Sequence, residues 1–168
     1  NESTSSITAK NKLNITATDF LTNDGEILSL AENLTDESNL PDQAITISAK
    51  TLNNNKEIKA NSAITINANE LNNNSANSKI TSGQDVSLHI TNLNNDLGTI
   101  ESKSILKIRN LTTNNPNIAN LLAVSDTNTA ISNKAGYLKA KTAIDIDIGI
   151  SDYDIEGILE TDGYIDIK

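Results

Sequence analysis

The stretch ITINANELNNN, residues 64–74, alternates apolar and polar side chains and then closes on three asparagines. Ile64 and Ile66 alternate with Thr65 and Asn67, the period of a strand with one face buried. ITISAKTLNNN, residues 45–55, does nearly the same. A strand-like run that ends twice in the same polar clump points to a repeat rather than to an isolated strand.

The repeat extends along the chain. With an apolar residue as position zero, apolar residues recur six and eight places later. Ile7 is followed in this way by Leu13 and Ile15, Ile58 by Ile64 and Ile66, Ile80 by Val86 and Leu88, and Ile100 by Leu106 and Ile108. Leu138 is followed by Ile144 and Ile146, and Leu159 by Ile165 and Ile167. Ile27 opens a further unit whose continuation, Ile45 and Ile47, is displaced by an insertion, and Ile118 with Val124 marks a worn unit. The result is eight units, each about twenty residues long.

Other rows keep the same period. Small residues follow position zero by two places: Ala9, Ser29, Ala60, Ser82, Ser102, Ala140 and Thr161. Gly25, Gly98, Gly136 and Gly157 precede it by two. Leu21, Leu52, Leu71, Leu93 and Leu111 stand before Asn or Thr at most turns. Apolar spacing within a unit is two, and no unit can bury its own apolar edge, but stacked units can. The pattern therefore predicts an all-β parallel β-helix of about eight coils, roughly 40 Å long at one strand spacing per coil. Ile64, Ile66, Leu88 and Ile108 are expected inside, with Thr65 facing out. The asparagine clumps are expected to be corners. Asn tolerates the left-handed backbone region, and its amide can bond to the Asn one coil away.

Composition agrees with a narrow interior. The 168 residues include one Phe, three Tyr and no Trp, so the core is built from Ile, Leu, Val and Ala. With no Cys, disulfides and thiolate chemistry are excluded. The net charge of −9 argues against nucleic acid and against an anionic membrane surface as partners. No apolar run approaches the roughly 18 residues of a membrane span, so this segment is not expected to insert in a membrane. The chain opens on NESTSS and stops on IDIK within an alternating pattern, which reads as one segment, residues 1–168, cut from a longer protein.

Two stretches break the repeat. Residues 30–44 form an insertion, and residues 112–135 an irregular coil. A uniform coil face lets a ligand slide, so specific recognition needs a feature that occurs once. The insertion sets Leu34 and Leu40 among Glu32, Asp36, Glu37 and Asp42, apolar anchors in a polar rim as at binding hot spots. These six residues are the expected partner-binding site, and replacing residues 31–43 by a short turn is expected to reduce cell binding while sparing the fold.

Two outward rows carry charge: Ser87, Lys107, Asp145 and Asp166, beside His89, Arg109, Asp147 and Lys168. A polysaccharide-cleaving enzyme would need such a face, with Ca²⁺ on its carboxylates. The blander reading is a solvated face whose opposite charges partner across coils. His89 is the one histidine, so neither a histidine triad nor a zinc site fits. No catalytic, cofactor-binding or metal-binding residue is assigned, no cofactor is expected, and the chain is not expected to be an enzyme.

LNITATDFLTNDGEI, ITINANELNNN, LHITNLNNDLGTIESKSILKI and YLKAKTAIDI resemble the repeats of filamentous haemagglutinin-type exoproteins. The shared features are apolar alternation, a Leu-Asn corner, and a glycine two places before the next apolar residue. Residues 30–44 and 112–135 depart from them. The resemblance implies right-handed β-helical fibres, exported by two-partner secretion through an outer-membrane transporter of Gram-negative bacteria. It implies a secreted protein at the bacterial cell surface whose shaft serves adhesion or cell–cell contact with a host-cell or bacterial receptor. Alternatively, the segment is the stick or receptor-binding part of a contact-dependent growth inhibition toxin.

Overall fold

A computed structural model describes residues 5–30, 43–124, 129–149 and 151–168. Strands follow one another along the chain as β1 (Ser6–Ala9), β2 (Leu13–Asn23), β3 (Glu26–Ser29), β4 (Gln43–Asn54), β5 (Glu57–Ala60) and β6 (Ala63–Asn72). Next come β7 (Lys79–Ser82), β8 (Val86–Asn94), β9 (Thr99–Ser102) and β10 (Ile105–Asn110). Two short helices, α1 (Leu111–Asn114) and α2 (Pro116–Leu121), interrupt the pattern. The remaining strands are β11 (Thr129–Ser132), β12 (Tyr137–Ala140), β13 (Ala143–Asp147), β14 (Ser151–Asp154), β15 (Ile158–Thr161) and β16 (Tyr164–Ile167).

The chain passes back and forth between two parallel sheets. The first has seven strands in the order β1-β3-β5-β7-β9-β12-β15. The second has nine: seven follow the order β16-β13-β10-β8-β6-β4-β2, and β11 and β14 extend it beside β8. Register follows the repeat positions. In the first sheet Ile7, Ile27, Ile58, Ile80, Ile100, Leu138 and Leu159 stand opposite one another in turn. In the second, Leu13, Ile45, Ile64, Val86, Leu106, Ile144 and Ile165 form one row, and Ile15, Ile47, Ile66, Leu88, Ile108, Ile146 and Ile167 another. A slip of one residue would turn every isoleucine out to water, so burial fixes this register. From β3 to β13 these residues are at most 2% exposed, and each contributes about 1.5–3 kcal/mol by burial.

The long strands change phase once. Inward positions run Ile45, Ile47, Ala49, Leu52, Asn54; then Ile64, Ile66, Ala68, Leu71, Asn73; then Val86, Leu88, Ile90, Leu93, Asn95, all at most 2% exposed. The step of three between Ala49 and Leu52 breaks the strict alternation of a strand. At that point the strand bends, and both halves face the same interior.

The bend is also where the helical excursion enters. Asn110 stands opposite Ile90, and Ala130 opposite Asn92. One place, opposite Thr91, therefore accommodates the whole of residues 111–129. Ile118 lies in α2, so the unit expected at Ile118 and Val124 adds no strand to either sheet. Among the described residues each path has seven strands rather than eight. The excursion has its own small core of Leu111, Ala119, Leu122 and Val124, with Ile118 beside it. Deleting residues 111–128 joins Asn110 to Thr129, whose side chains already bond at 2.8 Å. The shortened chain is expected to keep one cooperative thermal transition, within a few degrees of the parent. Separate melting of the strands on either side of the deletion would contradict this placement.

The asparagines bond to one another from strand to strand as expected, but not from the left-handed backbone expected of corners. Among the described non-glycine residues only Leu97, Ala123 and Ala135 have positive φ, and none is Asn. Asn23, Asn54, Asn73, Asn95 and Asn133 instead point inward and form a ladder. Asn23 Nδ2 donates to Asn54 Oδ1 at 2.8 Å, Asn54 to Asn73 at 2.8 Å, Asn73 to Asn95 at 2.6 Å, and Asn95 to Asn133 at 2.7 Å. The last four are 0% exposed. The remaining amide protons go to backbone carbonyls, for example Asn73 to Thr99 at 3.2 Å. A buried polar row is tolerated because its donors and acceptors are matched. Gly98 is placed by the same ladder: a Cβ there would lie 1.7 Å from the Asn73 carbonyl oxygen. Close approach, not positive φ, requires glycine at this position.

Candidate functional site

The six residues expected to bind a partner, Glu32, Leu34, Asp36, Glu37, Leu40 and Asp42, lie outside the described residues. Among the described residues the candidate face is the outer side of the second sheet. Alternation on β8, β10, β13 and β16 sends the residues between inward isoleucines outward. Lys107 stands between Ser87 and Asp145, and Asp145 beside Asp166. Arg109 stands between His89 and Asp147. The two rows are therefore neighbours, as the spacing predicts.

Most of the charges on this face are matched. Arg109 pairs with the Asp145 carboxylate and also donates to the Asp145 carbonyl at 2.9 Å. Lys107 Nζ is 3.0 Å from Asp85 Oδ2, and Lys168 Nζ is 2.6 Å from Asp166. Asp85 also accepts from the Ile105 amide at 3.1 Å. Burial alone would push Asp85 up, but hydrogen bonds from Ser104, Lys107 and Ile105 outweigh it and hold the carboxyl below its ordinary value. Asp145 and Asp166, one strand apart, are each neutralised by a different cation. Among the described residues no group of three or more His, Asp and Glu side chains is placed to hold a metal ion. A general acid and a general base need two groups with separated proton affinities facing one substrate, whereas Asp85, Asp145 and Asp166 each face a counter-ion.

His89 is the exception to simple pairing. Its Nδ1 lies 3.0 Å from Asn67 Oδ1, which also accepts from Asn115 at 3.1 Å. Asn115 caps α2, so the excursion lies against this face of β6. That cover was not visible from spacing. Thr65, expected to face solvent, lies on the outer side of its strand yet is 5% exposed, and Asn67 is 3% exposed. Burial pushes the His89 imidazole down, and the Arg109 guanidinium adds to the shift. A base whose pKa is depressed in the fold contributes full stability above its unfolded value and loses it as pH falls below. As pH falls through the region below about 6.5, the chain is therefore expected to lose stability that His89→Gln retains. Equal urea midpoints for the two proteins across that window would sink the assignment.

Compared with protein-family models, with curated proteins and with solved structures, the chain matches none.

Proposed function

We propose that the chain is a stretch of shaft from a large secreted, surface-attached exoprotein of the filamentous haemagglutinin type, serving adhesion or cell–cell contact. In this reading the two sheets are opposite walls of a right-handed parallel β-helix, and each pass through both walls is one coil. The observation that supports it is the alignment of like apolar residues in rows through the seven strands of each path, which persists past the register shifts at Ala17/Phe20 and Gln43/Ile45. Parallel strands connected in this back-and-forth order need a stacked architecture, and stacked repeats produce long, stiff surfaces suited to reaching another cell. Asp85, Asp145 and Asp166 face counter-ions rather than each other, which supports action by contact rather than by turnover.

Export then uses an outer-membrane transporter of the two-partner type, and the working partner is a receptor on a host or bacterial surface. Neither nucleic acid nor membrane insertion by this segment is part of the reading. Antibodies against the chain should label intact cells of the source bacterium, and beads coated with the chain should bind target cells. Labelling only after lysis, with no bead binding, would refute it. Turnover of an acidic glycan that disappears in Asp145→Asn would refute the non-enzymatic part.

A further inference from the structure

The outer side of the first sheet mixes both signs of charge, with Glu26, Glu57, Glu101 and Glu160 among its lysines, and lysines gather at two hollows on it. These adjoining hollows, of about 640 and 500 Å³, share Lys59, Thr81, Ser82 and Lys103. Together they form a trough crossing β5, β7, β9 and β12. Lys59, Thr81, Glu101 and Lys139 stand opposite one another in turn along it, and Glu57, Lys79, Thr99 and Tyr137 form the parallel row. Lys59 and Lys79 make no ion pair among the described residues, whereas Lys103 pairs with Glu101 and Lys139 with Glu160 at 3.1 Å. Thr81 lines both hollows, but its Oγ1 is shielded from solvent and without a hydrogen-bond partner. Tyr137 is 38% exposed at the rim, with Lys139 Nζ 5.2 Å from its ring centre.

We propose that this trough binds a linear acidic polysaccharide bearing carboxylates on successive sugar units. The trough runs across the strands, so it suits a polymer rather than a compact ligand. Its polar groups recur at about the strand spacing of 4.8 Å. The cations are all lysines, point charges that suit single carboxylates and lack the planar fork with which arginine grips phosphate. Glu57 and Glu101 are interleaved among them. They can accept from sugar hydroxyls, and Thr99 can donate or accept. Tyr137 offers an apolar ring face to a sugar ring. The site stands apart from the shaft reading, since the same groove would bind whatever the chain is attached to.

The test uses the whole chain with polygalacturonate oligomers as probe, at low and at physiological salt, beside a neutral glucan and single-stranded DNA. Binding to polygalacturonate is expected, weakening with salt. Lys59→Gln with Lys103→Gln should weaken it about tenfold, and Tyr137→Ala should weaken it several-fold. Lys50→Gln, on the other sheet, should leave it unchanged. Thr81→Val removes an unpaired hydroxyl that is shielded from solvent, so binding should be unchanged while thermal stability holds or rises. No binding at low salt, undiminished binding by the double lysine variant, or DNA bound as tightly as polygalacturonate would each overturn the proposal.

Discussion

Asn73→Asp is expected to destabilise the chain by about 3–5 kcal/mol at neutral pH. The side chain is fully buried and occupies the middle of the ladder. The amide it replaces donates to Asn95 Oδ1 at 2.6 Å and to Thr99 O at 3.2 Å. A carboxylate has no proton for either and sets an anionic oxygen against Asn95 Oδ1. Burial raises the pKa of such a carboxyl in the fold, so stability is gained as pH falls and the proton returns. The deficit should therefore shrink on acidification in thermal melts followed by circular dichroism. Asn72→Asp makes a useful partner variant. Asn72 bonds Asn53 at 2.9 Å on the outer, half-exposed side, and its loss should cost about 1 kcal/mol. Equal losses at both positions would show that the inner ladder has no special weight.

Ile66→Asp should be more damaging still. Ile66 is 0% exposed between Ile47 and Leu88, and the row around it offers no polar group to meet a carboxylate. The substitution combines a lost apolar side chain, worth about 2–5 kcal/mol, with an unpaired buried charge worth several more. That sum rivals the whole stability of a typical domain, about 5–15 kcal/mol. The expected outcome is an unfolded chain, or one in which the strands on either side of β6 melt apart. Thr65 is no neutral control, because it is covered. Lys50, exposed on β4, is the better outward site, and Lys50→Asp should stay close to the parent.

The rows that hold the sheets together were legible in the sequence because they obey two short-range rules at once, alternation within a strand and recurrence near twenty residues. Every expected pairing from Ile7 to Leu159 follows from them. What the spacing misjudged lies at the bend. The excursion between Asn110 and Thr129 is nearly as long as one repeat, so Ile118 and Val124 imitate a unit while belonging to a helix and its exit. The covering of Thr65 was illegible for a related reason: an outer face is buried by chain that arrives from elsewhere, and no local period records it. The bonding of one asparagine amide to the next was legible from their recurrence, whereas their inward direction and ordinary backbone angles were not. The lysine trough escaped notice because its members come from four strands and only the register brings them together.

The asparagine ladder has a direction. Every amide in it gives its proton toward the C-terminal side, from Asn23 to Asn133. Reversing one amide would set oxygen against oxygen on one side and proton against proton on the other, so the five turn together or not at all. One end of the row presents carbonyl oxygens and the other presents protons. Any strand pair that joins the row must offer its complement at that end and in that sense. The stack thus has a head and a tail written inside it, and two such stacks can meet end to end through these amides in one polarity only.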